Sequence, residues 1–354
     1  MINHQAIITL AQKAREASRI SARLSGNEKN ALINRMAKRL VEKQNLLEIA
    51  NKKDVEMAQE KGLSPAMIDR LVLNSGRIEG MAQALRDICQ LPDPVGKIDG
   101  IRLRPNGLQV GQMAIPLGVI LIIYESRPNV TSDAAGLCLK AGNSVILRGG
   151  SEAFYSNQAI VSVLHEVLEE FNLPKEIIAF IPSTERENIQ ILLDLNTTID
   201  LVIPRGGEGL IRYVDEHSKI PVIKHYKGVC HLYVDREADV TMAMELLVNG
   251  KVSRPGVCNA LETLLIHEEI AEKFLKLIEK DSRLNHVQFR GCPLTQHYFP
   301  RAGAATEEDY FTEYLDLTLS VKCVSSLTEA IDHIEKYGSN HTEVIVTNNL
   351  ETAQ

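Results

Sequence analysis

The chain has 354 residues, enough for about two domains with full hydrophobic cores, and at 44% hydrophobic and 24% charged its composition is that of a soluble globular protein. A net charge of −7 and a pI of about 5.9 leave no basic footprint for nucleic acid or an anionic membrane surface. The longest apolar run, Ala114 to Tyr124, is shorter than the ~20 residues of a spanning helix and carries Pro116 and Gly118; the start, Met1-Ile2-Asn3-His4, has no signal-peptide pattern. Six cysteines, at 89, 138, 230, 258, 292 and 323, form no CxxC pair and no small-domain disulfide pattern, which predicts a reducing, cytoplasmic setting.

The first ninety or so residues read as helices. Ile7, Leu10, Ala14 and Ala17 recur at helical spacing, and Leu32, Met36, Leu40 and Leu47 continue the pattern against a charged face. Ser64-Pro65 opens a further helix, and Leu91-Pro92-Asp93-Pro94 ends this helical arm, residues 1–92. Between about 97 and 113, Pro105-Asn106-Gly107 separates two partly alternating segments, a hairpin signal that fits an oligomerisation arm and equally a surface hairpin without a partner.

From Leu117 strands and helices alternate. Val119–Ile123, 144–147, 177–181 and 201–203 read as strands, with helices over 131–140, 151–170, through Ile189 and Leu193, and over 209–216. A second series starts at His231: strand 231–235, helix 239–250, strand 262–266, helix 268–280, strands 286–290 and 319–324, helix 326–337 and strand 343–347. Such alternation predicts parallel strands with crossover helices on both sheet faces. A boundary near Gly228 divides the chain into a domain of residues 1–228 and one of residues 229–354.

Ligands bind beyond the carboxyl ends of strands in open α/β sheets. There the chain places Tyr124 to Asn129, Leu147 to Ser151, and Pro204-Arg205-Gly206-Gly207-Glu208-Gly209. The last opens a helix, where free N–H groups favour phosphate; a plain αβ turn has the same pattern. In Ser253-Arg254-Pro255-Gly256-Val257-Cys258-Asn259 a turn presents a thiol four residues after an arginine, a cation that would favour the nucleophilic thiolate; an inert core thiol has the same pattern. Cys89, Cys138 and Cys323 have apolar neighbours and read as inert core thiols. His225, Cys230 and His231 fit no standard zinc spacing, so no metal is expected.

Pro116–Val119, Tyr124–Thr131, Lys140–Gly150 and Arg254–Thr263 closely resemble the gamma-glutamyl phosphate reductase family of the aldehyde dehydrogenase superfamily. The resemblance implies two Rossmann-like parallel-sheet domains, cofactor-binding then catalytic, plus a hairpin oligomerisation arm. It implies Cys258 as the catalytic nucleophile and Asn129 as donor to the oxyanion. It places Arg148, Ser151, Gly206, Gly207 and Glu313 around NADPH, Ser151 standing where NAD-preferring relatives carry a carboxylate. Arg127 either contacts substrate or forms a structural ion pair. The activity implied is NADPH-dependent reduction of L-glutamyl 5-phosphate to L-glutamate 5-semialdehyde, the second step of proline biosynthesis from glutamate. Oxidising relatives activate water with a glutamate near the domain junction, but Val222 to Lys227 holds no carboxylate, which suits a reductase.

The family pattern continues for several dozen residues past Gln354, with part of the pocket and a partner strand for the hairpin. The expectation is therefore an apparently truncated C-terminus and a homo-oligomer weakened by it. A labile acyl phosphate points to glutamate 5-kinase as a partner. A coenzyme A-acylating aldehyde dehydrogenase and an inactive fold-mate stay open as alternatives.

Overall fold

The computed structural model describes residues 4–185, 187–223 and 227–354, which divide into two compact units, Met1–His225 and Tyr226–Gln354. Unit one begins with α1 (His4–Ser21), α2 (Gly26–Glu42), α3 (Gln44–Glu60), α4 (Pro65–Leu71) and α5 (Ser75–Gln90). Their starts are specified locally. Ser25 and Glu28 form a reciprocal capping box on α2, and the side chains of Ser64 and Asn74 cap α4 and α5. Leu32, Met36, Leu40 and Leu47, the apolar stripe of the sequence, are fully buried.

The hairpin forms from β1 (Ile98–Leu103) and β2 (Gln109–Met113), paired antiparallel, with Gly107 in the left-handed region its turn requires (φ +86°). Every residue of both strands is exposed, including Ile98, Ile101, Leu103, Val110 and Met113.

β3 (Val119–Tyr124), α6 (Asn129–Lys140), β4 (Ser144–Gly149), α7 (Phe154–Glu170), β5 (Ile178–Phe180), α8 (Glu187–Leu193), β6 (Leu201–Arg205) and α9 (Glu208–His217) complete the unit. The strands pair in parallel in the order β5-β4-β3-β6. β3 is buried at every position because its two faces serve different cores. Ile120, Ile122 and Tyr124 join the core that includes α2, α5 and α7. Val119, Leu121 and Ile123 join the one that includes α1 and α8. The chain runs outward from β3 to β5 and returns to β6 on the other side, so a crevice opens beyond the carboxyl ends of β3 and β6.

Unit two contains β7 (Cys230–Val234), α10 (Val240–Val252), β8 (Leu261–His267), α11 (Glu268–Lys280), β9 (Gln288–Gly291), α12 (Pro293–Tyr298), β10 (Gly303–Ala304), α13 (Glu307–Phe311), β11 (Thr318–Val324), α14 (Leu327–Tyr337), β12 (Glu343–Val346) and α15 (Leu350–Ala353). Its six strands are all parallel, in the order β10-β9-β11-β8-β7-β12. The sequence reading lacks β10, α12, α13 and α15, each of six residues or fewer and too short to show a period.

On the inner face of α14, His333 is buried with no hydrogen-bond partner at either ring nitrogen, packed on Tyr310, Tyr337 and His231. Burial, then the nearby His231 and Lys322, pushes its pKa from 6.5 down to about 3. The unfolded chain therefore takes up a proton that the folded chain refuses. This stability is complete above pH 6.5 and falls by about 1.4 kcal/mol per unit as pH drops toward the folded value. His333→Phe is expected to flatten the stability profile by that amount, checked by urea unfolding of both proteins between about pH 7.5 and 5.5. Parallel profiles for the two proteins would refute the assignment.

Candidate active site

Cys258 lies on the turn between α10 and β8, exposed, with the Ala260 N–H closing back on the Val257 carbonyl at 3.0 Å. The run 228–230 holds this turn from the side. The Cys230 thiol donates to the Cys258 carbonyl at 3.3 Å. Burial pushes the Cys230 pKa up to about 11, which keeps its thiol protonated and a donor. A Cβ at Gly228 would stand 1.8 Å from that same carbonyl oxygen, so only glycine admits the turn. Arg254 is exposed and forms no ion pair among the described residues, so the turn and its lock, more than that cation, define the setting of the thiol.

Four residues beyond Cys258, Glu262 is fully buried against Lys251 at 2.8 Å. Burial raises the Glu262 pKa to about 7 despite that ammonium. Glu262 also accepts the Leu315 N–H at 3.2 Å, and Leu315 has a positive φ of 53°. The loop between α13 and β11 is thereby pinned, with half-exposed Glu313 on it. The sequence reading gives none of these four residues a part in holding Cys258: Gly228 marks a boundary, Cys230 is weighed only as a metal ligand, Glu262 falls inside a motif and Lys251 is not singled out. The cue for the last two, a Lys and a Glu facing from α10 to β8, appears only once the elements pack.

In unit one, Asn129 is exposed as the first residue of α6, and its side-chain amide donates to Asp133 Oδ2 at 2.8 Å. This one-turn contact fixes the amide and leaves its second N–H for another acceptor. Burial raises the Asp133 pKa, opposed by hydrogen bonds from Asn129 and Ser132.

The strand-end loops singled out in the sequence converge in this unit, around Glu125. The Glu125 carboxylate accepts the Gly207 N–H at 2.9 Å, and its own N–H donates to the Arg205 carbonyl. A Cβ at Gly206 would meet that carboxylate at 2.6 Å, and one at Gly150 would stand 3.4 Å from the Glu125 Cα. The helix N-terminus read from sequence as open to phosphate thus already receives an internal anion. Arg148 is buried, its guanidinium donating to the Thr184 carbonyl at 2.8 Å. Ser151 is exposed and donates to the carboxylate of Glu152 at 3.2 Å, so a carboxylate does stand at its side. Arg127 is exposed on the loop after β3.

Among the described residues no group of three or more His, Cys, Asp or Glu is arranged to hold a metal; His225 lies outside them, as do the other two residues of 224–226. No helix of the described residues is long and apolar enough to cross a membrane.

Residues 2–288 match the aldehyde dehydrogenase family model, and the chain belongs to that family. Over 345 residues it is 56% identical to the gamma-glutamyl phosphate reductase of Salinibacter ruber, covering 98% of this chain and 79% of the relative. The crystal structure of gamma-glutamyl phosphate reductase from Thermotoga maritima superposes with a TM-score of 0.94 at 42% identity, covering 98% of this chain and 84% of that one. Within the family, then, the chain falls among the gamma-glutamyl phosphate reductases. An acetylating aldehyde dehydrogenase from Geobacillus thermoglucosidasius shares the fold at 17% identity, with a TM-score of 0.67 over 99% of this chain and 83% of that one. Members of the family act as oxidoreductases with NAD or NADP.

Proposed function

We propose that this chain reduces L-glutamyl 5-phosphate to L-glutamate 5-semialdehyde and phosphate, the second step of proline biosynthesis from glutamate. The observation that carries the reading is an exposed Cys258 on a locked turn in a chain 56% identical to a gamma-glutamyl phosphate reductase. The Cys258 thiolate attacks the acyl carbon, a C–S bond forms, the C–O bond to phosphate breaks, and phosphate leaves. Asn129 donates its remaining side-chain N–H to the oxygen that becomes negative. When bound, the nicotinamide cofactor supplies the hydride that reduces the thioester. The resulting thiohemiacetal collapses to the aldehyde and frees the thiol. No carboxylate stands among Val222 to Lys227 to activate water against the thioester.

The dinucleotide is proposed to lie beyond the carboxyl ends of β3 and β6, where Gly206, Gly207 and Gly209 project no side chains, with the Glu125 carboxylate on the Gly207 N–H giving way to it. In this reading residues 1–228 are the cofactor-binding domain and 229–354 the catalytic one. Ser151, Gly206, Gly207 and Glu313 hold the cofactor, while Arg148 acts from behind by bracing the carbonyl of Thr184. NADPH is the proposed form. Arg127 is the proposed contact to substrate, and glutamate 5-kinase the proposed supplier of the labile acyl phosphate.

The test is the reverse reaction with glutamate 5-semialdehyde and NADP, supplied with phosphate or with coenzyme A. Phosphate-dependent NADPH formation supports the proposal; coenzyme A dependence would establish the acylating alternative. Within this assay, Asn129→Ala is expected to lower kcat about 10²- to 10³-fold with KM little changed, the signature of a donor used only in the transition state. An unchanged kcat would remove Asn129 from the mechanism.

The hairpin is the proposed arm of a homo-oligomer, since its apolar residues are exposed on both strands. Ile101→Glu with Leu103→Glu is expected to reduce the mass measured by light scattering to that of one chain. An unaltered oligomer would exclude the hairpin as its arm.

A further inference from the structure

Cys323 is not the buried filler its apolar neighbours suggest. Cys292 and Cys323 are both half-buried, whereas Cys89, Cys138 and Cys230 are buried. They are brought together by β9 and β11, which pair in parallel with Gly291 opposite Val321. The Cys292 N–H donates to the Val321 carbonyl at 3.0 Å, continuing the ladder one step beyond the end of β9. The Cys323 N–H then donates to Cys292 Sγ at 3.4 Å. The Thr295 hydroxyl lies 3.3 Å from Cys292 Sγ and 3.5 Å from Cys323 Sγ, so one hydroxyl sits between two sulfurs. Neighbouring strands ~4.8 Å apart with a one-residue offset put the two Cα atoms on the order of 6 Å from each other, within the disulfide range.

We propose that Cys292 and Cys323 form a peroxide-reactive thiol pair that closes to a reversible disulfide, a modification site separate from Cys258. Cys292 is the attacking partner. Hydrogen bonding from the Cys323 thiol, from the Cys323 N–H at 3.4 Å and from Thr295 favours the Cys292 thiolate, and the same shared bond pushes the Cys323 thiol up. The Cys292 thiolate attacks one oxygen of a hydroperoxide, the O–O bond breaks, and the other oxygen leaves as hydroxide or alkoxide and takes up a proton. Cys292 is then a sulfenic acid. The Cys323 sulfur attacks the Cys292 sulfur, the S–O bond breaks, and hydroxide leaves with the Cys323 proton as water. The two thiols lose two electrons in all and the peroxide gains them.

The test uses the whole chain. The protein is treated with about one equivalent of hydrogen peroxide, free thiols are alkylated, and the cysteines are mapped by mass spectrometry. The expected result is a cross-linked Cys292–Cys323 peptide that dithiothreitol releases, formed equally in wild type and in Cys258→Ser. In Cys323→Ser, dimedone is expected to label Cys292, because its sulfenic acid has lost its partner. Free alkylation of both Cys292 and Cys323 in peroxide-treated wild type, or absence of dimedone label at Cys292 in folded Cys323→Ser, would overturn the proposal.

Discussion

Cys258→Ser is expected to lower turnover by at least about 10⁴-fold while leaving the fold intact, on the scale seen when a nucleophile is removed from a covalent mechanism. A serine hydroxyl needs a base to become a nucleophile, and the locked turn offers none. Cys258 is exposed, and its carbonyl, not its side chain, takes part in the contacts with Cys230 and Gly228, so serine disturbs no packing. The melting temperature should therefore change by less than about 2 °C, because surface changes away from special features stay near 0.5 kcal/mol. The check is steady-state turnover in the reverse reaction beside a thermal melt. Turnover within about tenfold of wild type would remove covalent catalysis by this residue.

Gly228→Ala is expected to cost at least about 10²-fold in kcat without touching any reacting group. The added Cβ would stand 1.8 Å from the Cys258 carbonyl oxygen, 2.7 Å from its carbon and 3.1 Å from its Cα. No flexible side chain can give way, because all three atoms are backbone. The peptide after Cys258 must shift by roughly 1 Å or more, and a misplacement of that size typically costs about 10²-fold. Cys230 loses its acceptor in the same movement. Stability should fall by about 1–3 kcal/mol, the usual cost of overpacking. Gly250→Ala is the control, since its Cβ would meet only the Leu261 side chain at 3.5 Å, an ordinary contact. Gly228→Ala with normal kcat would show that the turn's position does not govern the thiol.

The strand-helix alternation was legible because buried parallel strands need continuous apolar runs such as Val119 to Ile123, and the hairpin because Asn106-Gly107 suits a tight turn. The site was legible only at motif level. Glu125 and Gly207 are 82 positions apart in the sequence, so no local pattern reveals that a carboxylate fills the helix start that Gly206 leaves open. The lock on Cys258 joins residues 28 apart, and Gly228 in isolation reads only as a domain boundary. Cys323 packs against the core of unit two as its sequence suggests, but only half-buried and beside a second thiol that no local pattern reveals. Along β11 it sits between Lys322 and Val324, but in space it meets the Cys292 thiol just past the end of β9 and the Thr295 hydroxyl on α12.

Glutamyl transfer is proposed to pass through Cys258. Incubating the protein with glutamate 5-semialdehyde and NADP in phosphate-free buffer withholds the acceptor of the acyl group, so the thioester should accumulate. Mass spectrometry is predicted to find one glutamyl group on the peptide carrying Cys258, removed when phosphate is added. NADPH formation with Cys258 unmodified throughout, or the glutamyl group on another residue, would contradict the account.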